Sequence, residues 1–382
     1  MTVLVFVVSL AAYALSTGGG HAVYDNFIRL AYAFVHGRLW LDWDPTVEAV
    51  FFNGQHYAIE GFMPAIVALP LVLLYGLQAN QAAACAIAAA VGVCAAWVML
   101  ERMRVSRRVQ IAVCAFFGFG TVYWWCAAFG SLWQFAHVVG AMFGVLALAE
   151  WYGARRPLLL GVLFACMALS RFPMALAGIP FVVWLLLDAR KGDGMRAVAQ
   201  AALGALPFLM LYLTYNYGRW HTFSDIGYAM WFHADAAGER VGSPFQLKFL
   251  PGNLYSYVML PPPLSMEFPW LRPNPIGVAL TFTSPALVLA FLAPARSRET
   301  WFLWAATLLV AVPSLLYYVN GYEQFGMRHS LDFTPFLLPL VARGLERLQT
   351  FFTYALIGFS ILANAYGIWY SWAFHVYGVV PR

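Results

Sequence analysis

The run at 79–100 carries no charged side chain from end to end, and comparable runs recur throughout the chain. About 20 such residues in a helix cross a bilayer core of about 30 Å. Water offers such a segment no exposed face on which to stand. Further apolar runs fall at 2–17, 109–127, 134–152, 157–170, 173–188, 197–216, 276–293, 301–318, 333–345 and 351–371. Charged residues make up only 10% of the 382 positions and apolar ones 62%, against about 25% and 45–50% in soluble domains. The pattern excludes a soluble enzyme, a disordered chain and a disulfide scaffold. It predicts an all-α polytopic membrane protein, with residues 1–382 forming one transmembrane domain. The five cysteines (Cys85, Cys94, Cys114, Cys126, Cys166) all lie inside apolar runs and read as small packing residues.

Charge placement orients the spans. One further apolar piece, 61–76, is short and holds Pro64 and Pro70. If it lies on the surface and the N-terminus is cytoplasmic, thirteen of the 22 Lys and Arg fall in inner loops at 101–108, 153–156, 188–196, 295–299 and 342–347. If it crossed, those basic loops would face outward against the positive-inside rule. The expectation is about 11 transmembrane helices, N-in and C-out, with 61–76 juxtamembrane on the outer face. The first run lacks a basic leader and a small-residue cleavage site, so it reads as the first helix. Eleven of the 17 acids and all eight histidines then fall outside. Two long outer loops carry them, 18–78 and 217–275, and both are rich in aromatic residues. Nucleic acid is excluded as a partner, because no basic stripe exists beyond the inner loops.

Four outward groups bear chemistry. Asp25 and Arg29 are four apart in a helix-like stretch at 25–36 and share a face. They read either as an ion pair or as a carboxylate at the bundle mouth that takes a proton from an acceptor. Arg328 and His329 stand at the outer end of a short helix, and an arginine fork suits phosphate. Arg171 lies in a very short turn, SRFP, between two abbreviated helices. Ionisable residues at a membrane boundary default to functional candidates. Gln134 and His137 mark another outer helix end. No Walker A, zincin, G-x-S-x-G or dinucleotide motif is present.

The order of these features resembles the GT-C-fold membrane glycosyltransferases, in the superfamily of protein O-mannosyltransferases and aminoarabinose transferases. STGGG…YDNFIRLAYAFVHGRLWL is similar to the family's first outer loop, with an acid after the first helix. NGQHYAIEGFMPAIVALPLVLLYG is similar to its juxtamembrane stretch, and EQFGMRHSLDFTPFLLPL to its arginine segment near the C-terminus. The resemblance implies sugar transfer, hexosyl or pentosyl, from a polyprenyl-phosphate donor to a glycan, lipid or protein acceptor. It implies Asp25 as the base, with inversion by single displacement, and Arg328 on the carrier phosphate. Arg171, His329, His137, Glu60 and Tyr57 are then further substrate-binding residues. It implies a multi-pass protein of the cell membrane, in bacteria the inner one, with its active site facing outside. Many members pair two acids at the first motif, whereas here Asn26 follows Asp25. A divalent metal is therefore not required, although Asp25, His56, Glu60 and His137 offer ligands. The alternatives are a transporter or lipid flippase, which would show inverted repeats and midplane charges, and an O-antigen ligase-like or acyl transferase.

Overall fold

A computed structural model describes residues 1–42, 47–188, 193–234 and 236–376. Among the described residues, helices and one β-hairpin are the regular elements. After α1 (Thr2–Ser16) and α2 (Asn26–Val35) come β1 (Ala49–Phe52) and β2 (Gln55–Ala58), then α3 (Met63–Tyr75), α4 (Gln81–Arg102), α5 (Arg107–Phe119), α6 (Val122–Phe129) and α7 (Leu132–Trp151). They are followed by α8 (Pro157–Ser170), α9 (Gly178–Asp188), α10 (Asp193–Trp220), α11 (Gly227–Ala234), α12 (Ala236–Val241) and α13 (Leu250–Val258). Last come α14 (Leu280–Thr283), α15 (Arg298–Leu316), α16 (Thr334–Arg347) and α17 (Phe351–Ala373).

Packing follows side-chain size. The alanine-rich α4 buries Ala82, Ala86, Ala89 and Ala96, which lets α1 and α7 lie close along it. α7 in turn packs on α8, and α8 on α10. Asn80 caps α4 by accepting from the Ala82 and Ala83 amides at 2.9 and 3.3 Å, which satisfies donors a helix start leaves open. Gln81 then ties three segments together. Its Nε2 donates to the Tyr24 and Gly130 carbonyls, and its Oε1 accepts from the Phe27 amide.

Among the described residues, five helices (α4, α7, α10, α15, α17) are long and apolar enough to cross a membrane. The pair α5–α6, bent by 49°, makes a sixth if counted as one span. α10 leaves Leu203, Leu206, Leu209 and Met210 exposed, which suits lipid and not water. The chain is thus a membrane-embedded, multi-pass protein. The remaining expected spans at 2–17, 157–170, 173–188 and 333–345 are shorter helices. The run at 276–293 departs from expectation: it forms α14 and then a 3-10 helix over Pro285–Leu292. Pro285 has no amide to continue the α-helical ladder from α14, and the segment packs against α16 instead.

The basic loops collect at one end. There Arg156 Nη2 lies 2.9 Å from Glu150 Oε2, Arg343 Nε 3.5 Å from Glu299 Oε1, and the Ser106 amide 3.0 Å from Glu346. Thus 101–108, 153–156, 295–299 and 342–347 share an end, while Arg190 and Lys191 of the loop at 188–196 lie outside the described residues.

Candidate functional site

The opposite end encloses a cavity of about 500 Å³, within the range of small-molecule sites. One wall comes from the hairpin. Asn53 and Gly54 both take positive φ, 47° and 81°, the type I′ turn that an Asn-Gly pair favours. The turn sets a register with Ala49 opposite Ala58. The flanking acids, Glu48 and Glu60, therefore stand at the two feet of one ribbon, and both line the cavity. Gly61 follows, and a Cβ there would meet the Leu169 carbonyl oxygen at 2.1 Å. Only glycine lets the chain press so closely on the end of α8, and this brings Glu60 Oε2 to 3.9 Å from Arg171 Nη1.

The facing wall carries the arginines. Arg171 follows α8 in extended conformation, before a 3-10 helix over Phe172–Ala177 that holds Pro173. Its fork rests on Asp332, Nε to Oδ1 at 3.2 Å and Nη2 to Oδ2 at 3.3 Å. Asp332 closes a 3-10 turn over Arg328–Asp332. With three residues per turn, His329 and Asp332 eclipse one another. His329 Nδ1 lies 3.4 Å from Arg171 Nη2. Arg328, at the start of the turn, donates from Nη1 to the Tyr322 carbonyl at 2.8 Å and to Gln324 Oε1 at 3.1 Å. Trp133 on α7 links the two walls. Its Nε1 donates to Glu48 at 3.0 Å, and the Arg328 guanidinium sits 5.1 Å from its ring. The rest of the lining includes Tyr228, Trp231, Phe245, Tyr317 and Tyr318, with the Tyr228 and Tyr317 hydroxyls hydrogen-bonded.

Electrostatics set the two acids apart from surface carboxylates. Burial pushes the Glu48 carboxyl up to about 8, and the neighbouring Glu60 charge adds to the rise against the Trp133 hydrogen bond. Burial also raises Glu60, while Arg171 and Arg328 act in the opposite direction. Two carboxylates in one dry site resist ionising together. The arrangement can take a proton from a nucleophile on one side and hold an anion on the other.

Of the sequence candidates, Glu60, Arg171, Arg328 and His329 come together around this cavity. His137 stands behind the wall, fully buried, with Nδ1 2.8 Å from Asp332. Asp25 does not line the cavity. It precedes α2, and its carboxylate accepts from Arg29, the ion pair expected of an i,i+4 spacing. Tyr57 packs instead on Trp220, with ring centroids 5.1 Å apart. The four metal-ligand candidates are not assembled, and among the described residues no group of three His, Cys, Asp or Glu is placed to hold a metal. Glu48, Asp332 and Trp133 were not singled out from the sequence. The Asn53–Gly54 turn is the signal that finds Glu48, because it pairs the strands on whose feet both acids sit.

No protein-family model and no curated protein matches the chain. Among solved structures, it is similar to ArnT from Cupriavidus metallidurans bound to undecaprenyl phosphate. The likeness has a TM-score of 0.52 at 16% identity and covers 91% of this chain. The chain spans 60% of the length of that protein. At such identity the likeness concerns architecture, and it extends nearly end to end: the chain has a GT-C fold.

Proposed function

We propose that the protein is a membrane glycosyltransferase that moves a sugar from a polyprenyl-phosphate carrier to an acceptor on the extracytoplasmic face. One observation carries the reading. Arg328 is buried in the cavity wall, has no carboxylate within ion-pair range among the described residues, and faces two acids across the space. A buried cation without a counter-ion is costly, and an anionic ligand supplies what the fold withholds. The GT-C fold, shared with a protein bound to undecaprenyl phosphate, supports a phosphate at that point and an isoprenoid chain in the bilayer.

Glu60 is the better base than Asp25. It lines the cavity, whereas the Asp25 carboxylate is engaged by Arg29 outside it. Glu60 takes the proton from the acceptor hydroxyl or amine, whose heteroatom bonds to the anomeric carbon. The bond from that carbon to the carrier phosphate oxygen breaks, and Arg328 stabilises the charge that develops on the departing phosphate. Glu48, carrying its proton at neutral pH, keeps a second negative charge from forming beside Glu60. Attack opposite the leaving group inverts the anomeric centre. The sugar and acceptor are bounded by the aromatic wall around Tyr228 and Tyr317.

The test is equilibrium binding of undecaprenyl phosphate to the purified protein in detergent micelles. Wild-type protein should bind it, and Arg328→Gln should weaken binding roughly 10- to 100-fold, the worth of a charge-assisted hydrogen bond. Wild-type protein that fails to bind would sink the reading.

A further inference from the structure

The two arginines of the cavity wall differ in what already holds them. Arg171 meets Asp332 through both prongs of its fork, at 3.2 and 3.3 Å, with Glu60 3.9 Å away on its other side. Asp332 is fully buried, and His137 Nδ1, 2.8 Å from Oδ1, fixes that carboxylate from behind. The Arg171 charge is thus matched by acid before any ligand arrives. Arg328 touches only neutral oxygens through Nη1, and its Nε is buried with no hydrogen-bond partner. Both arginines line the same cavity.

We infer that Asp332 is a positioning residue that decides which arginine takes the carrier phosphate: it occupies Arg171 and leaves Arg328 as the anion site. This deepens the proposed function and rests on it. One short turn does both jobs, since Arg328 opens the Arg328–Asp332 segment and Asp332 closes it. The segment presents one guanidinium and disarms the other. There is a kinetic reason for such restraint. The phosphate is the leaving group and must depart with its lipid. A second free guanidinium would hold substrate and product more tightly to the same extent, and uniform tightening does not raise turnover. It would also turn toward Glu60 and weaken that group as a base.

The prediction runs against the intuition that losing a buried ion pair loosens a site. Asp332→Asn keeps the shape and removes the charge, so Arg171 becomes available. Binding of undecaprenyl phosphate in micelles should tighten at least fivefold while turnover falls. Adding Arg171→Gln should return affinity to within threefold of wild type, because the second guanidinium is then gone. A merely structural role for Asp332 would weaken binding and would not be reversed by a second substitution. The double variant also stands alone if Asp332→Asn fails to fold, because neither member of the Arg171–Asp332 pair is then left charged without the other. A tenfold or greater loss of affinity in the double variant would show that Arg171 holds phosphate in the wild type and would overturn the inference. Unchanged or weaker binding in folded Asp332→Asn would overturn it too. Wild-type protein that binds no undecaprenyl phosphate removes the parent reading and the inference together. Wild-type binding lost in Arg328→Gln, with the Asp332 variants behaving otherwise than stated, removes the inference alone.

Discussion

The two ends of the molecule treat charge in opposite ways. At the end where the basic loops gather, Arg156 meets Glu150 and Arg343 meets Glu299, and both arginines keep contact with the surroundings. At the other end, Arg328 is buried with no acid in range among the described residues, and burial raises the carboxyls of Glu48 and Glu60 from their ordinary values. Charges of the first kind set how the chain sits in a bilayer, and surface pairs of this sort add little stability. Charges of the second kind are held at a cost that a ligand or a reaction can recover. On the proposed function, the difference separates residues suited to orienting the protein from residues suited to acting in it.

Substitutions at the two ends should therefore diverge. The largest effect belongs to Glu60→Gln, which should lower sugar transfer by about 10²- to 10⁴-fold, the usual worth of a general base. Undecaprenyl phosphate binding should stay within about threefold of wild type. Asp25→Asn should keep turnover within about threefold, and a collapse there instead would move the base back to Asp25. Next comes Gly61→Ala. Its Cβ would meet the Leu169 carbonyl at 2.1 Å, so overpacking should cost about 1–3 kcal/mol. Melting temperature and turnover should fall together as Glu60 is pushed from Arg171.

A third, smaller effect follows from Glu48. Its folded-state carboxyl titrates near 8, above its unfolded value, so the native state binds the extra proton between those limits. Stability must then fall as pH rises from about 5 to 8. Melting curves across that range should slope downward, and Glu48→Gln should flatten the slope. A wild-type slope that the substitution leaves untouched would mean that Glu48 is not the buried group. The smallest effect belongs to Arg343→Gln at the opposite end, where turnover and phosphate binding should stay within about twofold. A large loss there would break the division between the two ends.

Much of the architecture is readable from the sequence because hydrophobic runs act locally. Ten of the eleven apolar runs lie on α-helices, broken where Gly120 and Thr121 bend α5 into α6 and where the 3-10 helix Phe172–Ala177 precedes α9. The exception, 276–293, fails because Pro285 interrupts the ladder after four helical residues. The site is less readable because its decisive pairings are remote. Arg171 and Asp332 are 161 residues apart, and His137 and Asp332 are 195 apart. No spacing rule joins such positions, so Asp332 passed as one more outer acid. Asp25 drew attention because it follows the first helix, but a local partner four residues away had already claimed it. Glu48 was within reach of the sequence, since an Asn-Gly turn announces a hairpin and a hairpin fixes what stands at its base.

That hairpin has a mechanical side. Glu48 and Glu60 are carried on two strands clamped by four cross-strand pairs, from Ala49 opposite Ala58 to Phe52 opposite Gln55. The ribbon can tilt as a unit more easily than its strands can part. A tilt would carry both acids toward or away from the Trp133–Arg328 wall while keeping their spacing from each other. Any change in the width of the cleft at this wall would therefore move the two acids together.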